Sequence, residues 1–162
     1  MKTIVLSFLI LFSLQTFGQK AKELRKYNIK TKSVEKTIEK DGEKITFIET
    51  EEIYNKNGKI LSKIEYSRNG EVKKKNIYKY DGFGNVIEEE EYDAKKENHF
   101  FYKYSYNADG KKISQLKSDI DGKLIEKSVY SYDRRGLRTE KKEFDAKGEF
   151  KSIRKISYEY FK

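Results

Sequence analysis

At 162 residues the chain is long enough for one domain and short for two. It contains no cysteine, which excludes disulfides, thiolate metal sites and the lipid-attachment cysteine of bacterial lipoproteins. The formal net charge of +9 arises from 36 Lys and Arg against 27 Asp and Glu. Both signs alternate along the chain, so the excess reads as a mixed surface with no separate basic tail.

The N-terminus opens with Met1-Lys2, and an apolar run follows from Ile4 to Leu14, broken by Ser7 and Ser13. Thr16-Phe17-Gly18 then offers small residues before Gln19. This is the pattern of a secretory signal peptide over residues 1–18, with cleavage near Gly18-Gln19 and an apolar stretch too short for a membrane span. A secreted or periplasmic location is therefore expected, with no transmembrane span in the mature chain.

Residues 19–53 read as an N-terminal capping hairpin. Val34–Lys40, the turn Asp41-Gly42 and Glu43–Tyr54 form it, with Ile45, Phe47 and Ile53 alternating. Terminal units of repeat arrays are usually atypical, which suits that role. Ala21–Tyr27 reads as a helical turn or an arm.

From residue 54 onward the chain repeats. Tyr54, Tyr80, Tyr106, Tyr132 and Tyr158 are 26 residues apart, and Gly58, Gly84, Gly110 and Gly136 keep the same interval. A second series, Gly70, Gly122 and Gly148, shares it, with Lys96 in the place of one glycine. Each unit thus has two halves of 12 and 14 residues, each with a glycine turn. Asn or Asp precedes Gly42, Gly58, Gly70, Gly110 and Gly122. Such pairs favour tight hairpins, because glycine adopts positive φ freely and Asn or Asp tolerates it. The predicted fold is all-β: an antiparallel β-hairpin meander of 26-residue repeats over 54–162, forming a coiled or an open sheet.

Alternation predicts the faces. Even-numbered positions hold most of the aromatics, including Tyr66, Tyr78, Tyr92, Tyr102, Tyr104, Tyr130 and Phe144. The reading is therefore one aromatic face, buried as the sheet coils with tyrosine hydroxyls at the rim, and one solvated face. Glu88–Glu91 fall opposite the lysine-rich strand Lys73–Tyr80, where opposite charges choose the partner strand.

Tyr78-Lys79-Tyr80-Asp81-Gly82-Phe83-Gly84-Asn85, Tyr104-Ser105-Tyr106-Asn107-Ala108-Asp109-Gly110 and Tyr130-Ser131-Tyr132-Asp133-Arg134-Arg135-Gly136 resemble the YD repeat of RHS-type proteins. The resemblance covers residues 54–162 and implies a β-sheet scaffold at the cell surface or outside the cell. Four units are few for a closed shell, so the family lends fold and location and not toxin delivery.

Few residues suggest chemistry. His99 is the one histidine, and without cysteine or a second histidine it has no partner for a nucleophilic constellation. Asp119-Ile120-Asp121-Gly122 has a faint calcium-loop look but lacks the later ligands, and reads as a turn. No catalytic residue, metal site or cofactor is expected. The leading reading is a non-catalytic binding or structural module at the cell envelope or exterior. Tyr102, Tyr104, Tyr106, Tyr130 and Tyr132 are its candidate ligand-binding residues, and an envelope protein or polysaccharide its candidate partner. Edge strands leave self-association open. One alternative is a carboxylate-dependent enzyme on envelope polysaccharide. The other is a basic nucleic-acid-binding protein, which the alternating charge and export both disfavour, so no nucleic acid is expected.

Overall fold

The structure is a computed structural model and describes residues 22–40 and 42–161. The candidate signal peptide, residues 1–18, and Asp41 of the first turn lie outside the described residues. After a helical turn over residues 22–26, ten strands follow. They are β1 (Thr31–Lys40), β2 (Glu43–Tyr54), β3 (Ile60–Tyr66), β4 (Val72–Tyr80), β5 (Val86–Asp93), β6 (Asn98–Tyr106), β7 (Lys112–Ser118), β8 (Leu124–Tyr132), β9 (Arg138–Asp145) and β10 (Phe150–Lys155). They lie in one sheet in chain order, each antiparallel to the next, and β1 and β10 are its two edges. The all-β meander of the sequence reading is present, in its open form. Among the described residues no helix is long and apolar enough to cross a membrane.

The turns explain the period. In the loop after β2, the Asn55 carbonyl accepts from Gly58 N–H at 2.9 Å and Asn55 N–H donates to the Lys59 carbonyl at 2.9 Å. The same pair of bonds closes the loops that begin at Ser67, Asp81, Asn107, Asp119, Asp133 and Asp145. This is a type I turn followed by a left-handed residue, which leaves a bulge in the ladder. Gly58, Gly70, Gly84, Gly110, Gly122, Gly136 and Gly148 supply the left-handed position with φ between 70° and 87°, and Gly42 has φ 82°. Asn57, Asn69, Asp109 and Asp121, each just before its glycine, do not share that conformation, so these four loops are not the tight Asn-Gly or Asp-Gly turns that the sequence suggested. The residue three before glycine matters instead: its side chain caps the loop. Asp133 Oδ1 accepts from Arg135 N–H at 3.0 Å and from Leu137 N–H at 2.8 Å, and Asn107, Asp119 and Asp145 do the same in their loops. The β5–β6 connection is the exception. There Asp93 caps a 3₁₀ turn at Ala94–Lys96, and Glu97 takes the left-handed place with φ 53°.

The bulges correct the assignment of faces. Each adds one residue to one strand, and the four-residue β5–β6 connection has the same effect without a bulge. Away from the turns an even residue therefore faces an odd one from β2 to β9, as in Tyr78↔Glu89, Tyr102↔Glu89 and Tyr102↔Lys117. Side chains directly opposite share a face. One face therefore carries the even aromatics of β4, β6 and β8, separated by columns of odd polar residues from β5, β7 and β9. Tyr92, Leu116 and Phe144 belong to the other face, because their partners His99, Lys103 and Lys127 are odd residues of even-numbered strands. Neither face is a continuous aromatic layer. With no second layer and no closure, Leu24, Tyr54 and Tyr130 are the large apolar side chains fully buried among the described residues. The expected burial by coiling is absent, and the aromatics stand half-exposed between charged neighbours.

Candidate functional site

Glu88–Glu91 show how the sheet uses its charges. Alternation splits them between the faces. Glu88 pairs with Lys79 at 2.6 Å, and Glu90 holds Lys75 at 2.6 Å and His99 Nε2 at 2.9 Å. His99 lies half-buried between Tyr92 and Phe101, with ring centroids 5.6 and 5.2 Å away. On the opposite face, Glu89 accepts the Tyr104 hydroxyl at 2.6 Å and Glu91 the Tyr102 hydroxyl at 3.0 Å. Register with β4 and β6 thus gives each glutamate a partner of its own.

The five candidate tyrosines share that second face, in two columns on β6 and β8 with β7 between them. The Tyr102 and Tyr104 rings stack with centroids 6.3 Å apart and planes 4° apart. Tyr130 is buried, and its hydroxyl donates to Gln115 Oε1 at 3.1 Å. Tyr106 and Tyr132 have a different role. Their hydroxyls donate to the carbonyls of Val86 and Lys112, each at 2.7 Å, and so hold the first residue of the preceding strand. Tyr80 and Tyr158 repeat the bond with Ile60 at 2.7 Å and Arg138 at 2.9 Å. Four members of the 26-residue tyrosine series thus form a ladder of staples along one end of the sheet, while the hydroxyl of the first, Tyr54, donates to Glu52.

Cations cover several rings. Lys112 Nζ lies 3.9 Å from the Tyr104 centroid, Lys117 Nζ 3.6 Å from that of Phe100, and the Arg138 guanidinium 4.7 Å from that of Tyr130. Such contacts are favourable because the ring face is the negative end of its quadrupole. Burial, with the nearby Arg138 charge, holds the Lys112 ammonium below its ordinary range. Burial and the bonds to Glu91 and Glu89 push the phenols of Tyr102 and Tyr104 well up. Burial first, then the Glu89 charge, pushes Tyr78 up to about 12. These hydroxyls stay protonated donors at neutral pH, and the carboxylates beside them are acceptors already engaged.

Among the described residues no group of three or more His, Cys, Asp or Glu is placed to hold a metal ion. Glu89, Glu91, Lys112 and Arg138 belong to the tyrosine face and were not picked out from sequence. A signal existed: Tyr104 with Glu89 and Tyr130 with Gln115 are the same spacing one repeat apart. Without the register, that spacing had no meaning.

No protein-family model matches the chain, and no curated protein matches it. Solved structures similar to it include a porin-like protein from Bacteroides uniformis, 17% identical with a TM-score of 0.44. That match covers 81% of this chain and 50% of the porin-like one, so the chain spans about half the length of that protein. The TcdB2-TccC3-TEV structure is 13% identical with a TM-score of 0.33, over 71% of this chain and 7% of that one. Both likenesses are too distant to carry a function across.

Proposed function

We propose that the protein is an exported, non-catalytic β-repeat module that binds an envelope protein or polysaccharide through its tyrosine face. The observation that carries this reading is the division of labour within each tyrosine. Hydroxyls are committed to Glu89, Glu91 and Gln115 inside the sheet, while the Tyr102 and Tyr104 rings, half-buried and with Lys112 over Tyr104, still reach the surface. Preorganised rings suit stacking on sugar or packing against a partner, because little side-chain freedom is lost on contact. Carboxylates already bonded to neutral phenols are poorly placed to exchange protons with a substrate. The N-terminal pattern supports export.

The test is retention of envelope material by immobilised protein, residues 19–162, washed at low and then high salt. Retention at high salt that is lost in the Tyr102→Ala/Tyr104→Ala variant is the expected result. Complete release at high salt would reduce the attraction to net positive charge and overturn the reading. Fractionation with N-terminal sequencing tests export; a protein retained inside the cell beginning at Met1 would refute it.

A further inference from the structure

The loops holding Gly58, Gly84, Gly110 and Gly136 stand in a row at one end of the strands, each closing a hairpin. Lys59, Asn85 and Lys111 follow the first three of these glycines. Lys59 reaches across to the next loop, donates to the Gly84 carbonyl and places its ammonium 5.2 Å from the Tyr80 centroid. Lys111 repeats the move further along, with its ammonium against Gly136 and 5.7 Å from the Tyr132 centroid. Asn85 sits between them in the series but turns back, its Nδ2 donating to Asp81 Oδ2 at 2.9 Å.

Tyr106 has the same pose as its neighbours, since all three hydroxyls donate to an equivalent carbonyl at 2.7 Å. What differs is the space above it. A Cβ built on Gly110 meets only Asn85 Oδ1, at 3.8 Å, whereas lysine ammoniums occupy the corresponding places at Gly84 and Gly136. The result is an open groove of about 680 Å³, whose walls include Asp81, Phe83, Asn85, Tyr104, Tyr106 and Asp109. Phe83 stands 96% exposed beside it.

We propose that this groove binds a lysine side chain of a partner protein, seating its ammonium near Tyr106 as Lys59 and Lys111 are seated in the flanking loops. Four features fit that group. The ring offers its negative face. The Gly110 carbonyl is the counterpart of the Gly84 oxygen that accepts Lys59. Asp81 and Asp109 supply negative charge on a chain of net positive charge, and they disfavour an anion. Phe83 gives the alkyl stem an apolar surface. The site shares Tyr104 and Tyr106 with the five candidate tyrosines and does not depend on where the protein acts.

The test is a heteronuclear NMR titration of the protein with Nα-acetyl-lysine methylamide, alongside the norleucine analogue, which keeps the stem and lacks the charge. Saturable shifts confined to Phe83, Tyr106 and Gly110, with a dissociation constant in the range of about 1–10 mM, are expected for the lysine compound alone. Asn85→Lys fills the groove from within and is expected to weaken binding at least about tenfold. If that variant fails to fold, Asp109→Asn is expected to weaken it severalfold with the spectrum otherwise unchanged. Equal shifts from norleucine, no saturable shift, or full affinity in a folded Asn85→Lys or Asp109→Asn protein would overturn the assignment. The lysine compound should also bind at least as tightly as n-butylamine; tighter binding of the free amine would overturn the choice of a protein partner.

Discussion

The loop after β7 offers a sharp test of the turn chemistry, because its two aspartates have clearly unequal expected effects. Asp119 lies three residues before Gly122, and its Oδ1 accepts from Asp121 N–H at 3.1 Å and Lys123 N–H at 2.8 Å. Asp121 immediately precedes the glycine, and its carboxylate makes no hydrogen bond among the described residues. Each Asp→Ala change removes one negative charge from the same loop, so the charge effect largely cancels in the comparison. A charge-assisted side-chain bond contributes about 1.5–3 kcal/mol net when sheltered, and a helix-cap aspartate of similar geometry about 0.5–2 kcal/mol. This loop is open to solvent, so Asp119→Ala should cost about 1–2 kcal/mol. Asp121→Ala should stay within about 0.5 kcal/mol, as for surface positions without a named role. Urea denaturation followed by far-ultraviolet circular dichroism measures both, with the slope checked because repeat arrays can lose two-state behaviour. Equal losses for the two variants, or a larger loss for Asp121→Ala, would refute the side-chain cap.

Three further outcomes follow from the paired side chains and the turn glycines. Tyr104→Phe should cost about 1 kcal/mol, at the low end for a bond to a charged group because Glu89 still accepts from Asn76 Nδ2 at 3.2 Å. A double-mutant cycle with Glu89→Gln measures the coupling, and a value near zero would contradict the pairing. Glu143 is held down to about 2 from 4.5, by its bond to Lys141 first and then by the Ser152 hydroxyl. Its folded form therefore favours the carboxylate, and the stability it contributes is complete above pH 4.5 and lost as pH falls through about 2. Glu143→Gln should flatten acid unfolding in that window, and an unchanged profile would count against it. Gly110→Val forces a β-branched residue to φ 72° and should destabilise by roughly 2 kcal/mol or more; an unchanged melting temperature would contradict the left-handed turn.

Much of the architecture was legible because its causes are local. The glycine series marks residues that need positive φ, and alternating apolar residues between the turns mark strands, so a meander of hairpins could be read from spacing. The loop cap was also written in the chain: Asn55, Ser67, Asp81, Asn107, Asp119, Asp133 and Asp145 all lie three residues before a glycine. Attention to the residue immediately before glycine hid it. The faces were not legible. Parity along each strand is visible in sequence, but parity between strands depends on whether a turn adds a bulged residue. That single residue moves Leu116 and Phe144 away from Tyr102 and Tyr104, and the four-residue β5–β6 connection does the same to Tyr92.

What the sequence determined by itself is the repeat: where the chain turns, which segments extend, and that each strand follows its neighbour. These depend on backbone preferences within a few residues. Only the tertiary structure decided what the side chains do. The Tyr104–Glu89 and Tyr102–Glu91 bonds, the Glu90–His99 pair and the groove beside Tyr106 each join residues at least nine apart. Their existence rests on strand register, which the 3₁₀ connection sets between β5 and β6 and the bulged turns set elsewhere, and on the sheet remaining an open single layer. In that layer an aromatic ring meets a charged neighbour across the strand, and among the described residues no second layer covers it.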